Sequence, residues 1–213
     1  MPAIDRSAVA PRSILIATGN AHKVKEFREM LASDRLQWDD LTQHPGYAEV
    51  EETGATFAEN AALKAAGYAT QFSTWALADD SGLEVDAIGG GPGVYSARWA
   101  QRHNAGQGDA ANNATLLRQI EQVPDQQRTG RFVCALALSD PHGRIILSVR
   151  ETVDGMILRA PRGSNGFGYD PLFLLPELGL TTAELPSEKK HELSHRGKAL
   201  RTLKALMSRQ GLA

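Results

Sequence analysis

The chain alternates between strand-like and helix-like segments from its first apolar run onward, and this alternation limits the folds open to it. A short apolar run at 13–18 is typical of a buried strand, and the segment 23–31 that follows places apolar side chains on one helical face. An Ala-rich helix is predicted from Thr56, which opens a capping-box pattern with Glu59, to about residue 70. Strands that alternate with helices in this way indicate a mixed α/β fold with a central twisted sheet.

The second half of the chain adds strands that pair locally. Two apolar segments, 131–138 and 144–153, flank Ser-Asp-Pro-His-Gly and predict a β-hairpin. A hairpin added to alternating strands and helices again favours a mixed sheet. The remaining predicted elements are a weak strand at 36–41, a strand at 75–78, a loop at the Gly/Pro-rich run 89–93, and helices at 109–121 and 194–208.

Length and composition are those of an ordinary globular protein. With 213 residues, of which 42% are hydrophobic and 23% charged, the chain can bury a full core as one domain. We expect this domain to span 13–213, after a flexible tail at 1–12. No apolar run approaches the roughly 18 residues that cross a bilayer, and the tail lacks the apolar centre of a secretory signal. Neither membrane insertion nor export is predicted, and the cytoplasm is the expected location.

Charge and cysteine content narrow the function classes. The net charge of −2 gives no general attraction to nucleic acid or membranes, so neither is expected as a partner. A polyanionic ligand would instead need a local basic cluster or a cation. The single cysteine, Cys134, lies in an apolar run without a partner for an intramolecular disulfide, and it is predicted to be a buried structural thiol.

Two adjacent carboxylates, Asp79 and Asp80, follow the apolar run at 75–78 and precede Ser81 and Gly82. We interpret this segment as a strand that delivers both acids into a Ser-Gly turn at the rim of the sheet. Hard oxygen ligands at such a rim are typical of a metal or acid–base site. The alternative is that the acids merely begin a turn, since Asp, Ser and Gly are ordinary turn residues.

The segment between the first strand and the first helix has the residues of a phosphate loop. It reads Thr18-Gly19-Asn20-Ala21-His22-Lys23. Glycine allows the backbone to approach a ligand, and the backbone N–H groups of a helix N-terminus favour an anion. The Gly-Lys-Ser/Thr ending of a Walker A loop is missing, and a routine turn and helix cap remains an alternative.

Two glutamates, Glu51 and Glu52, precede the Ala-rich helix. Either can complete an oxygen-rich Mg²⁺ site with Asp80, because Mg²⁺ prefers one or two protein carboxylates and otherwise keeps water and phosphate oxygens. Solvated surface acids near a helix N-terminus are the alternative.

Two later segments suit a nucleobase. The first is Phe167-Gly168-Tyr169-Asp170, in which an aromatic side chain lies between glycines. The second brings Lys190, His195 and Arg196 to the start of the terminal helix. Aromatic stacking combined with guanidinium donors is how proteins hold an unpaired base, although each segment alone also fits a turn or a solvated helix start.

Six motifs occur in one order, and together they resemble the inosine triphosphate pyrophosphatase family, also called dITP/XTP pyrophosphatases. They are Thr-Gly-Asn-x-x-Lys, Glu-Glu-Thr-Gly-x-Thr-Phe-x-Glu-Asn-Ala, Ala-Asp-Asp-Ser-Gly-Leu, Gly-Gly-x-Pro-Gly-Val-Tyr-Ser-Ala-Arg, Gly-Phe-Gly-Tyr-Asp-Pro and Ser-His-Arg-Gly. The resemblance runs from about Ser13 to Met207.

The resemblance implies a homodimer that hydrolyses ITP, dITP and XTP to the monophosphate and pyrophosphate with Mg²⁺. It implies a long mixed sheet with flanking helices, split into two lobes around a central substrate cleft. It also implies roles for residues: Thr18 to Lys23 and Ser81 for phosphate, Asp80 for catalysis and metal, Glu52 or Glu51 for metal, and Phe167 to Asp170 with Lys190, His195 and Arg196 for the base.

Base selectivity has a donor–acceptor basis in these residues. Hypoxanthine and xanthine present a keto oxygen at position 6 whereas adenine presents an amino group, so donors from Lys190 and Arg196 favour the keto purines. Guanine shares the keto oxygen, and the sequence does not show what rejects it. Two alternatives stay open, a non-catalytic nucleotide-binding module and a pyrophosphatase of modified pyrimidine or methylated nucleotides.

Overall fold

The computed structural model describes residues 13–31, 36–44 and 46–212, so the predicted tail at 1–12 lies outside the described residues. The strands are β1 (Ser13–Ile16), β2 (Gln37–Asp40), β3 (Trp75–Val85), β4 (Thr129–Ser139), β5 (Ile145–Ile157), β6 (Phe173–Leu175) and β7 (Leu180–Thr181). The helices are α1 (Ala21–Leu31), α2 (Phe57–Phe72), α3 (Trp99–Arg102), α4 (Asp109–Gln119), α5 (Ser187–Leu193) and α6 (His195–Arg209).

The described strands form one seven-stranded sheet in the order β2-β1-β3-β4-β5-β6-β7. β1 runs parallel to both of its neighbours, β2 and β3, because helical connections carry the chain back across the sheet. From β3 onward each neighbouring pair is antiparallel, and β4 and β5 form the predicted hairpin. The predicted mixed sheet with flanking helices is confirmed, while its division into two lobes stays a prediction.

Helices cover both faces of this sheet. On one face, Phe27 of α1 and Leu203 of α6 belong to the same buried cluster as Leu77 of β3. On the other face, Ala65 of α2 packs in a cluster with Ala78 of β3. The two faces of β3 therefore meet different helices. Among the helices of the described ranges, none combines the length and the apolar character that crossing a membrane requires.

The acidic segment differs from the sequence expectation. The predicted turn at Ser81-Gly82 is wrong, because β3 continues to Val85 and stays paired with β4. Asp79 and Asp80 are stable inside a strand because cationic side chains pair with both. Glycine at position 82 allows Ser96 to pack against the strand rather than forming a turn, because a Cβ there would lie 2.2 Å from Ser96 Oγ. As neighbours in a strand, the two acids point to opposite faces of the sheet.

Most other elements lie where the sequence predicts them. The capping box of α2 is present: Thr56 Oγ1 accepts from the Glu59 backbone N–H, and the Glu59 carboxylate accepts from the Thr56 N–H. Ser194 caps α6 by accepting from the Gly197 N–H. The sequence analysis does not predict α3, α5, β6 or β7, which have seven residues or fewer and therefore show little periodicity.

Cys134 lies on β4 with its thiol buried and free of any disulfide, so the prediction of a buried thiol is confirmed. Its Sγ donates to Asp79 Oδ2 over 3.1 Å. Burial and the Asp79 charge raise the pKa of the thiol well above its usual value. A thiol that stays protonated is a poor nucleophile, which agrees with a structural role.

Candidate active site

A cavity of about 320 Å³ opens beside β3. Its walls come from the β1–α1 loop, α2, β3, the loop 166–170 and the start of α6. All the predicted site residues except Ala21, His22 and Glu51 line it, and these three are exposed to solvent. The fold thus brings segments from distant parts of the sequence to one place.

The β1–α1 loop is shaped by the side chain of Asn20. Asn20 Oδ1 accepts from the backbone N–H groups of His22 (2.9 Å) and Lys23 (3.2 Å), which caps the first turn of α1. Thr18 Oγ1 accepts in turn from the Asn20 N–H over 3.3 Å. Gly19 leaves room for the Tyr47 hydroxyl, which would lie 2.7 Å from a Cβ at that position. A helix N-terminus with a lysine beside it is a favourable place for phosphate.

Asp79 is buried and fully paired. It forms salt bridges with Lys23 and with Arg196 Nε, the second at 3.0 Å, and it accepts from Ser81 Oγ at 2.9 Å. Burial alone would raise the pKa of this carboxyl, but the charges of Arg196 and Lys23 hold it well below its usual range. Asp79 is therefore ionised at neutral pH, and it positions two cations at the cavity wall.

Glu26 of α1 pairs with two cations of the cavity wall, Lys190 and Arg196. Its carboxylate accepts from Lys190 Nζ at 2.7 Å and forms a salt bridge with Arg196 Nη1. Lys190 Nζ also lies 2.7 Å from Asp170 Oδ2, which accepts from the Phe167 N–H at 2.9 Å. A chain of paired charges therefore runs from α1 to the loop that carries Phe167.

Asp80 has a different environment from Asp79. Lys64 Nζ lies 3.3 Å from Asp80 Oδ1 and 3.0 Å from Glu52 Oε1, so one ammonium group orients both carboxylates. Asp80 Oδ2 is buried and accepts no hydrogen bond from any described residue. Burial raises the pKa of Asp80 despite the opposing charge of Lys64. Such a carboxylate has an oxygen left for a ligand.

The oxygen atoms at Asp80 fit a hard metal ion bound mainly by other ligands. Within the described ranges, no cluster of three or more His, Cys, Asp or Glu side chains can hold a metal. Asp80 and Glu52 line the cavity together, whereas Glu51 is exposed and does not line it. Two carboxylates suit Mg²⁺, which is usually bound by one or two carboxylates with water and substrate phosphates completing the shell.

Arg196 and His195 differ in what they offer to a ligand. Each of the three Arg196 nitrogens already donates, to Asp79, Glu26 and Ser81 Oγ. A guanidinium has five N–H groups, so two remain for another acceptor. The His195 ring stacks on Phe132 with centroids 4.8 Å apart. Burial and the charge of Arg196 hold the pKa of His195 well below its usual value, so its ring is neutral.

The loop that carries Phe167 is held through its backbone. Gly166 and Gly168 have φ of 75° and 62°, which favours glycine at both positions. The Gly168 N–H donates to Asp109 Oδ2 at 2.6 Å, and Asn113 Nδ2 donates to the Gly168 carbonyl at 3.0 Å. Tyr169 is buried and donates through its hydroxyl to the backbone of Ser96.

The predicted site leaves out Glu26 and Lys64, although both are buried and paired. Lys64 lies one turn after Asn60, which is also buried, and Glu26 lies three residues after Lys23. Polar groups at helical spacing on a buried face are uncommon unless they are paired. That spacing was the available signal for both residues.

Comparisons with known proteins agree along nearly the whole chain. A family model described as the Ham1 family matches residues 14–206. A dITP/XTP pyrophosphatase of Exiguobacterium sibiricum is 50% identical over 195 residues, 92% of this chain and 96% of that protein. Another, of Geobacillus kaustophilus, is 51% identical over 192 residues, 90% of this chain and 92% of that protein.

Solved structures are similar as well. The structure of a HAM1 protein from Coxiella burnetii has a TM-score of 0.82 at 37% identity, covering 92% of this chain and 98% of that one. The crystal structure of a nucleoside-triphosphatase / dITP/XTP pyrophosphatase from Mycobacterium abscessus has a TM-score of 0.71 at 45% identity, covering 90% and 98%.

The ion pairs of Glu26 predict how the free energy of unfolding depends on pH. Burial opposes ionisation there, but Arg196 and Lys190 lower its pKa from 4.5 to about 2. The ionised group therefore stabilises the fold fully above about pH 5, and this contribution is lost as the pH falls towards 2. We expect Glu26→Gln to lower the free energy of unfolding by roughly 3 kcal/mol at pH 7. The difference from wild type should shrink on acidification.

Urea unfolding of wild type and Glu26→Gln at several pH values between 7 and 3 measures this difference. Glu121→Gln is the matched control, because Glu121 is an exposed glutamate. A difference for Glu26→Gln that stays constant across the series would contradict the paired, ionised state of Glu26.

Proposed function

The chain belongs to the Ham1 family, whose relatives at about half identity are dITP/XTP pyrophosphatases, and we propose that it hydrolyses dITP, XTP and ITP to the monophosphate and pyrophosphate. The family predicted from the six sequence motifs is confirmed. One observation carries the proposed chemistry: Asp80, with a buried oxygen that no described residue binds, lines the same cavity as Lys23 and the phosphate loop.

We place the triphosphate against the β1–α1 loop. The N-terminus of α1 carries the positive end of its helix dipole, and Lys23 lies at the cavity with its ammonium held by Asp79. Ser81 contributes a hydroxyl on the same side of β3, since it is two residues from Asp79. The base then lies at Phe167, with Lys190 and Arg196 at the cavity wall.

Mg²⁺ is the proposed metal, held by Asp80 and Glu52. When bound, it would neutralise phosphate charge during the transfer. Lys64 keeps both carboxylates oriented towards one point from the α2 side. The two carboxylates raise the pKa of Lys64, against the effect of its burial, so the lysine stays protonated while it does this.

Asp80 also orients the attacking water in this proposal. The water oxygen attacks the α-phosphorus, the bond from that phosphorus to the oxygen bridging it to the β-phosphorus breaks, and pyrophosphate leaves. The proton of the water passes to the carboxylate or to solvent. Phosphoryl transfer of this kind requires positioning and charge stabilisation and no covalent nucleophile.

Purine selectivity follows from donors at the base end. Lys190 and Arg196 are both cationic and both line the cavity. A 6-keto oxygen can accept a hydrogen bond from them, whereas the 6-amino group of adenine is itself a donor and cannot. The absence of nucleic-acid binding, the homodimer and the cytoplasmic location stay predictions. A non-catalytic nucleotide-binding module is disfavoured, because a mere binder gains little from carboxylates beside a polyphosphate unless a metal lies between them.

The proposed function predicts which nucleotides react and what they release. With Mg²⁺, the protein should convert dITP, XTP and ITP to the monophosphate and pyrophosphate, and ATP should react much more slowly because its 6-amino group faces donors. Chromatography of the nucleotides with separate assays for pyrophosphate and orthophosphate measures this. Stepwise release of orthophosphate, or equal use of ATP, would reject the proposal.

A further prediction distinguishes Glu52 from Glu51 as the Mg²⁺ ligand. Glu52→Gln should lower kcat and raise the Mg²⁺ concentration needed for half-maximal activity, because a metal ligand is lost. Glu51→Gln is the matched control, since Glu51 is exposed outside the cavity, and it should behave as wild type. Magnesium titrations of initial rates compare the two. The assignment fails when Glu51→Gln shows the larger effect or when both variants match wild type.

A further inference from the structure

One contact beside the cavity joins the β1–α1 loop to the loop 166–170, which carries Phe167. The His22 imidazole stacks on the Phe167 ring, with centroids 5.1 Å apart and planes inclined by 14°. His22 is exposed and does not line the cavity, whereas Phe167 is half-buried and does. Phe167 therefore stands between His22 and the cavity.

Lys190 and Arg196 lie near the same ring. Lys190 Nζ is 5.0 Å and Arg196 Cζ is 5.8 Å from the Phe167 centroid, and both residues line the cavity. A base that binds these donors would therefore lie beside Phe167. The angle of the Phe167 ring decides whether that base finds a flat surface to stack on.

We propose that His22 is a positioning residue that holds Phe167 against the nucleobase by stacking on its outer face. This inference rests on the proposed function, which assigns Phe167 to the base. The backbone of the Phe167 loop is fixed by Asp170 and Asp109, but backbone bonds leave the ring free to turn about its own side-chain torsions. The His22 stack supplies a support for the ring itself.

The contact also couples the two ends of the substrate. The backbone N–H of His22 donates to Asn20 Oδ1, so His22 belongs to the loop to which the proposed function assigns the phosphates. Phosphate binding that orders this loop would order His22, and through it Phe167. A base-bearing ligand should therefore depend on His22, whereas a ligand with phosphates alone should not.

Equilibrium binding without turnover tests this directly. The probes are the α,β-methylene analogue of ITP, which lacks the scissile bridging oxygen, and inorganic pyrophosphate, which lacks a base. His22→Ala should weaken the analogue by about three- to tenfold, the scale of one aromatic stack, and leave pyrophosphate unchanged. His22→Phe should restore binding of the analogue, because it restores a flat ring. Lys25→Ala, an exposed change on the same helix, is the matched control.

Other outcomes overturn the inference. Equal weakening of both ligands by His22→Ala would assign His22 to phosphate, and tighter binding of the analogue would make His22 a competitor for the base. Unchanged binding of the analogue, or no rescue by His22→Phe, would leave His22 without this role. When wild type releases pyrophosphate from ITP, these results reject the positioning role alone. Wild type that neither binds the analogue nor cleaves ITP would reject the proposed function, and this inference with it.

Discussion

Consecutive side chains of a β-strand point to opposite faces of the sheet, and this constraint separates the two adjacent carboxylates of β3. Asp79 enters the face covered by α1 and α6, where Lys23 and Arg196 pair with it. Asp80 enters the face covered by α2, where it pairs with Lys64 and keeps one unpartnered oxygen among the described residues. Because burial penalises a charge that is not fully paired, the pKa of Asp79 is lowered and the pKa of Asp80 is raised.

The pairing of Asp79 also explains how the cavity holds together. Arg196 connects Asp79 to Glu26, and Lys190 connects Glu26 to Asp170 of the loop 166–170. One chain of ion pairs therefore links β3, α6, α1, α5 and that loop. Buried pairs of this kind contribute little net stability relative to apolar packing, but breaking one is costly. Their effect here is to fix the distance between the β1–α1 loop and the loop 166–170 across the cavity.

The sequence predicted the fold class because helical and strand periodicities are local signals, and Thr56 and Ser194 cap the helices as expected. It failed at Ser81-Gly82 because the residues of a turn also occur where a strand needs small side chains. The deciding fact is pairing with β4, about 50 residues away, which no local pattern reveals. Glu26 was missed for a similar reason, since its partners come from α5 and α6.

In this account Asp79 positions cations and Asp80 acts in catalysis, and the Asp80→Asn variant tests the role of Asp80 most directly. Asparagine keeps the size of the side chain and removes its charge, and Lys64 keeps its ion pair with Glu52, so the variant should stay folded. Its kcat for dITP should fall by about 10²- to 10⁴-fold, the scale of a lost acid–base group. A folded variant whose kcat stays within about threefold of wild type, far below that scale, would contradict the account.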